Sequence, residues 1–201
     1  MSGNISLNDF ITPSDLGLAE PPSSSDTPLS EVAQLQEGIE LIKRWEGLEL
    51  QAYPDPATNG APYTIGYGCT RHNDGTPVQL GETVTTAEAE AMLSHQIEKD
   101  FLPSLQTIPY WAEMSTFQRG ALLSYAWNMG AGFVGDRENF ATINRALSNK
   151  DWDAVPEAFM LYVKGGGRVM LGLKRRRFSE ASLWKGQTAA IAYQEGMGIV
   201  S

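Results

Sequence analysis

The hydrophobic period of this chain changes abruptly at Gly47, and that change limits the folds open to it more than any other feature. Upstream, Val32, Leu35, Ile39, Ile42 and Trp45 recur at the three- and four-residue intervals that gather apolar side chains on one helix face. Ser30 stands where an N-cap belongs, so the spacing predicts a helix from Ser30 that ends near Glu46. Downstream, LELQAYPDPATNGAPYTIGYGCT is made of short alternating runs broken by Pro54-Asp55-Pro56 and Asn59-Gly60. Such breakers favour turns, so about residues 48–72 are expected to form a small antiparallel β lobe. A sheet that small cannot hold itself together and must lean on helices. Glu46, at the end of the first helix, would then face the junction.

The remainder reads as helix. Thr85-Thr86-Ala87-Glu88 and Ser115-Thr116-Phe117-Gln118 have the form of capping boxes, the first ahead of a helix through Ala91, Ile97 and Phe101. Asn139 and Asp151 are candidate caps for two short helices, the second of which Pro156 need not break. Gly165, Gly166 and Gly167 mark a break before a basic helix from about Gly172 to Trp184, and the final fifteen residues carry no clear pattern. The expected fold class is α+β: a predominantly helical domain with a small antiparallel β lobe after its first core helix and a cleft between the lobes. The expected organisation is a flexible acidic extension over 1–29, rich in Ser, Pro, Asp and Gly, a folded domain over 30–186, and a tail over 187–201.

Composition removes several function classes. The net charge is −9, yet residues 1–42 hold seven acidic residues and no Lys or Arg, which leaves the rest at about −2. A nearly neutral body lacks the many phosphate contacts that nucleic-acid binding needs. No run of eighteen apolar residues occurs, so no membrane span is expected. The opening MSGNISLNDFITPSDL has neither a basic start nor an apolar core and is not expected to act as a secretory signal, which points to synthesis in the cytoplasm. One cysteine, Cys69, excludes an internal disulfide.

Glu46 and Asp55 have the residue types that glycoside hydrolysis requires, a proton donor and a carboxylate that handles the nucleophile. Their spacing alone fits equally a solvated helix-end Glu and a turn Asp. Thr64, in the predicted strand YTIGYG, could orient water near Asp55 or simply suit strand packing. Gly66 and Gly68 allow close backbone approach but lack the Gly-Lys-Ser/Thr ending of a phosphate loop. Tyr67, between them, is the aromatic candidate for a groove, whereas Trp111, Trp127 and Tyr162 read as core. Asn128 would cap its helix or line the cleft. His72 and His95 have no partners at metal-ligand spacing, and Cys69 has no convincing base, so neither a metal site nor thiol catalysis is expected.

The ordered string of motifs is more specific than any one of them. Glu46-Gly47-Leu48, Tyr53-Pro54-Asp55 and Tyr63-Thr64-Ile65-Gly66-Tyr67-Gly68 resemble the active-site region of the phage-type lysozymes, and GETVTTAEAEAMLSHQI, ALLSYAWNMGAGF and GGGRVMLGLKRRRFSEASLW extend the likeness over about residues 35–186. The resemblance implies a muramidase that hydrolyses the β-1,4 bond between N-acetylmuramic acid and N-acetylglucosamine by direct, inverting water attack without a cofactor. It implies Glu46 as proton donor, Asp55 as the carboxylate that activates water, and Thr64 as its partner. By the same resemblance Arg175, within Lys174–Arg177, would face Glu46. Two departures stand out: Cys69 replaces a His common in relatives, and PATNGAPY lengthens the segment between Asp55 and Thr64. The partner implied is bacterial peptidoglycan, met by a monomer after holin-dependent release or on a virion. A non-catalytic wall-binding or virion module with the same fold, and a lytic transglycosylase, stand as alternatives.

Overall fold

Ser30 accepts a hydrogen bond from Ala33 N at 3.3 Å and starts α1 (Glu31–Gln34). The predicted single helix does not run through: Leu35 turns the chain at φ −99° and ψ 18°, with its side chain fully buried, and α2 (Gln36–Glu46) begins afresh. The structure is a computed structural model that describes residues 30–55, 59–135 and 137–200. The proposed extension over 1–29 lies outside the described residues.

Gly38 of α2 packs against Gly120 of α5 (Thr116–Met129) so closely that a Cβ on Gly38 would sit 2.5 Å from the Gly120 Cα. This contact puts Ile39, Leu41 and Ile42 into the main core beside Leu122, Leu123 and Tyr125.

Gly47, at φ 74°, ends α2 and turns the chain into β1 (Glu49–Asp55), which pairs antiparallel with β2 (Gly60–Gly66). The observed fold is therefore the expected α+β arrangement. The lobe extends past the expected residue 72, because the chain returns along the free edge of β1. There Ala52 N donates to Glu82 O at 2.9 Å and Val84 N to Leu50 O at 3.0 Å. A second small core of Ala52, Ile65, Cys69, Val78 and Met92 seats the lobe on α3 (Thr86–Gln96).

Both predicted capping boxes are present, Thr85 with Glu88 at the start of α3 and Ser115 with Gln118 at the start of α5. The helix expected through Phe101 instead passes through a π turn over Ile97–Phe101 and restarts as α4 (Leu102–Leu105), with Pro103 in its first turn. Asn139 does not cap α6 (Ala141–Ser148). It lies in a 3-10 turn, Phe140 occupies the cap position, and the loop is tied by Asn144, which donates to the Phe140 carbonyl and accepts from Gly135 N. Asp151 accepts from Ala154 N at 3.3 Å ahead of α7 (Val155–Phe159), whose first turn holds Pro156. The glycine break is a tight hairpin, β3 (Lys164–Gly165) with β4 (Arg168–Val169), and Gly166 and Gly167 take φ of 56° and 77° in its turn.

After α8 (Leu171–Trp184) comes α9 (Ala189–Met197), for which the sequence has no apolar stripe. Its buried face is Ala189, Ala192 and Gly196, small residues that let it lie against α8: a Cβ on Gly196 would sit 2.5 Å from the Arg175 carbonyl. Glu37 of α2 accepts from Ala189 N at 2.6 Å, so one helix caps the other, and Trp45 meets Tyr193 edge-on with ring centroids 5.0 Å apart. Replacing Glu37 with Ala should cost about 1–2 kcal/mol, as cap removals do, and lower the denaturation midpoint in urea at constant slope. An unchanged midpoint would mean that the cap contributes nothing.

Candidate active site

Glu46 is the last residue of α2, and its side chain is 25 % exposed at the foot of the β lobe. Its Oε1 accepts from Arg176 Nη1 at 2.6 Å, a charge-assisted contact from α8. The Arg175 expectation is thereby corrected. Arg175 Nε donates to the Ile199 carbonyl at 3.0 Å, on the side of α8 that receives α9. One residue further turns the side chain by about 100° around the helix, towards the cleft.

The other oxygen, Oε2, points to the β lobe, where a Cβ on Gly68 would lie 3.9 Å from it. Gly68 holds φ 97°, so any other residue there would be strained as well as closer to the acid. Gly66 serves packing: at φ 66°, its added Cβ would meet Ala89 Cβ of α3 at 3.1 Å.

Tyr67 does not line a groove. It is 7 % exposed and belongs to the main core, with Lys43 Nζ 5.6 Å from its ring centroid. The strand alternation that would have turned it outward stops at Gly66, where β2 ends. Thr64 sits on β2 opposite Tyr53, half-buried. The Asp55 backbone is opposite Gly60 at the end of β1, and its side chain lies outside the described residues. Asn128 is exposed near the end of α5, one turn beyond Ser124, whose carbonyl accepts from Arg176 Nη2 at 3.4 Å. That spacing puts Asn128 on the same helix face as the arginine contact.

The basic run on α8 is not a solvated face. Arg176 and Arg177 are 6 % and 0 % exposed, and both converge on Glu180, itself fully buried. Arg177 reaches it twice, Nη2 to Oε1 at 2.8 Å and Nε to Oε2 at 2.6 Å, and its guanidinium stacks 4.7 Å from the Tyr125 ring centroid. Ser124 and Glu180 were missed from the sequence. Glu180 had a signal, since it lies three and four residues after two arginines on one helix. Ser124 had none.

Cys69 is fully buried in the lobe core, and burial pushes its thiol up to about 11, so it stays protonated and inert at neutral pH. Its neighbour His72 is taken by Glu82, Nε2 to Oε2 at 2.8 Å.

A family model described as phage lysozyme matches residues 43–180, from the last turn of α2 through the lobe and into α8 as far as Glu180. The chain belongs to the phage lysozyme family. It is 35 % identical to the endolysin of Salmonella phage P22 over 147 residues, which cover 72 % of this chain and 92 % of that one. It is 30 % identical over 149 residues to the endolysin of Bacillus phage B103, covering 74 % of this chain but only 52 % of that longer protein. Among solved structures, the endolysin from Escherichia coli O157:H7 phage FAHEc1 superposes with a TM-score of 0.63 at 30 % identity, over 75 % of this chain and 92 % of that one. Phage lysozymes are enzymes that hydrolyse peptidoglycan.

The corrected arginine assignment has a direct check. Arg175→Ala should leave kcat within about twofold of native, whereas Arg176→Lys, which loses the planar donor fork, should lower it at least tenfold. Equal effects of the two variants would contradict the geometry.

Proposed function

We propose that this chain is an endo-acting muramidase that hydrolyses the β-1,4 bond between N-acetylmuramic acid and N-acetylglucosamine, with Glu46 as general acid. The observation that carries the reading is the unequal environment of the two Glu46 oxygens. Oε1 is occupied by Arg176, which can only donate, so Oε2, facing Gly68 and the cleft, is the oxygen free to carry the transferred proton. In the reaction, Oε2–H passes its proton to the glycosidic oxygen as the bond from that oxygen to the anomeric carbon breaks. Water adds to the anomeric carbon from the opposite face and gives its proton to Asp55, with Thr64 holding the water. Arg176 meets the negative charge that appears on Glu46. No cofactor takes part.

The enzyme works as a monomer on the wall after release, and two delivery routes fit, a holin lesion or carriage on a virion. Sedimentation with purified particles separates them.

Mass spectrometry of fragments released from purified peptidoglycan tests the chemistry. Reducing-end muramic acid supports the muramidase. Anhydro-muramic ends would make the chain a lytic transglycosylase, and no fragments from several wall types would leave a binding module.

A further inference from the structure

We propose that Glu180 is a positioning residue for the Glu46 acid, acting through Arg176; the inference rests on the muramidase reading above. The four charges at the base of the cleft form a short chain, Glu46–Arg176–Glu180–Arg177. With Glu46 ionised the set is neutral. With Glu46 protonated, as a general acid must be before each turnover, Arg176 loses its outer counter-charge while remaining only 6 % exposed. A buried guanidinium without a carboxylate would turn towards water or draw water in.

Glu180 prevents that. Its Oε1 lies 3.4 Å from Arg176 Nε, and the Ser124 carbonyl lies 3.4 Å from Arg176 Nη2, so two edges of the planar fork are held from inside. The remaining Nη1 is left aimed at Glu46 in either protonation state. Glu180 can serve as this fixed point because it is itself locked. Its Oε1 accepts from Ser124 Oγ at 3.1 Å across the α5–α8 interface and from Arg177 Nη2 at 2.8 Å, while its Oε2 lies 2.6 Å from Arg177 Nε as an ion pair, all three side chains being buried. Arg177 makes no contact with Glu46. It supplies the positive partner of the buried Glu180 carboxylate.

The test measures kcat and KM separately on soluble glycan fragments of peptidoglycan, with thermal unfolding as a control. Glu180→Gln keeps the shape and removes the charge. Because a lone buried arginine can unfold the variant, Arg177→Met/Glu180→Leu is made beside it, replacing the inner ion pair by an apolar pair of similar size. In whichever variant folds, kcat should fall at least tenfold with KM within about twofold of native, since the acid is misplaced while the groove is intact. A folded variant with native kcat overturns the proposal. A raised KM at native kcat does so too, because it assigns Glu180 to substrate binding. Glu46→Gln runs in the same assay: if it remained active, the acid assignment itself would fail, whatever the Glu180 variants did.

Discussion

Glu46→Gln should fold as the native chain does and cleave peptidoglycan roughly 10²–10⁴-fold more slowly, the usual weight of a positioned general acid. The substitution is close to isosteric, and the amide oxygen can still accept from Arg176 Nη1, so the ion-pair neighbourhood loses a charge but not its packing. Position 46 is the C-terminal residue of α2 and its side chain is partly exposed, so burial contributes little to the cost. What the amide cannot do is release a proton to the leaving oxygen and then carry the negative charge that Arg176 is placed to meet. Reducing-end release over time, read beside a circular dichroism melt, checks both halves. Activity within tenfold of native in a normally melting variant would remove Glu46 from the role of acid.

Gly38→Ala is expected to be the most damaging small substitution outside the cleft. In an exposed helix interior the change would gain stability, since alanine is favoured over glycine by about 1 kcal/mol. Here the sign reverses. The added Cβ would lie 2.5 Å from both the Cα and the carbonyl oxygen of Gly120, and backbone atoms cannot rotate away as a side chain would. α2 and α5 must separate, at a cost of about 3 kcal/mol, which corresponds to roughly 6–12 °C in melting temperature for a chain of this size. Because α2 ends in Glu46 and α5 supplies the Ser124 carbonyl to Arg176, the same displacement should lower kcat. A melting temperature equal to or above native would show that the two helices do not approach as closely as described.

Those two glycines also mark where the sequence stops being readable. Gly38 and Gly120 lie inside helices, where nothing local distinguishes a close crossing from a tolerated imperfection. The lobe, by contrast, was legible because its cues are local: Asn59, at φ 53°, leads into β2 at Gly60, and Thr85 and Ser115 announce their helices by reaching three residues ahead. Leu35 shows the limit of periodicity, since a stripe can continue in phase while the backbone turns beneath it. α9 escaped because its buried face is made of Ala189, Ala192 and Gly196, which fill a narrow gap instead of forming a greasy stripe. At the site, Glu46 and its junction followed from the change of period. The neighbour on α8 did not, because three consecutive arginines differ only in rotation, and the packing of α9 on α8 decides which of them faces the cleft. Tyr67 failed for a similar reason: a positive φ at Gly66 ends the alternation one residue too soon.

The helix that carries Glu46 is made early in synthesis but completed late. Its crossing partner Gly120, the arginine that holds its acid, and Ala189, whose N–H binds Glu37, all follow it by many tens of residues. On the ribosome, therefore, α2 emerges well before α5, α8 and α9 exist to hold it, and at typical elongation speeds it waits on the order of ten seconds or more for α9. A nascent or prematurely ended chain carries the acid without the frame that aims it. The order of the elements thus ties the placing of Glu46 to the synthesis of α8 and α9.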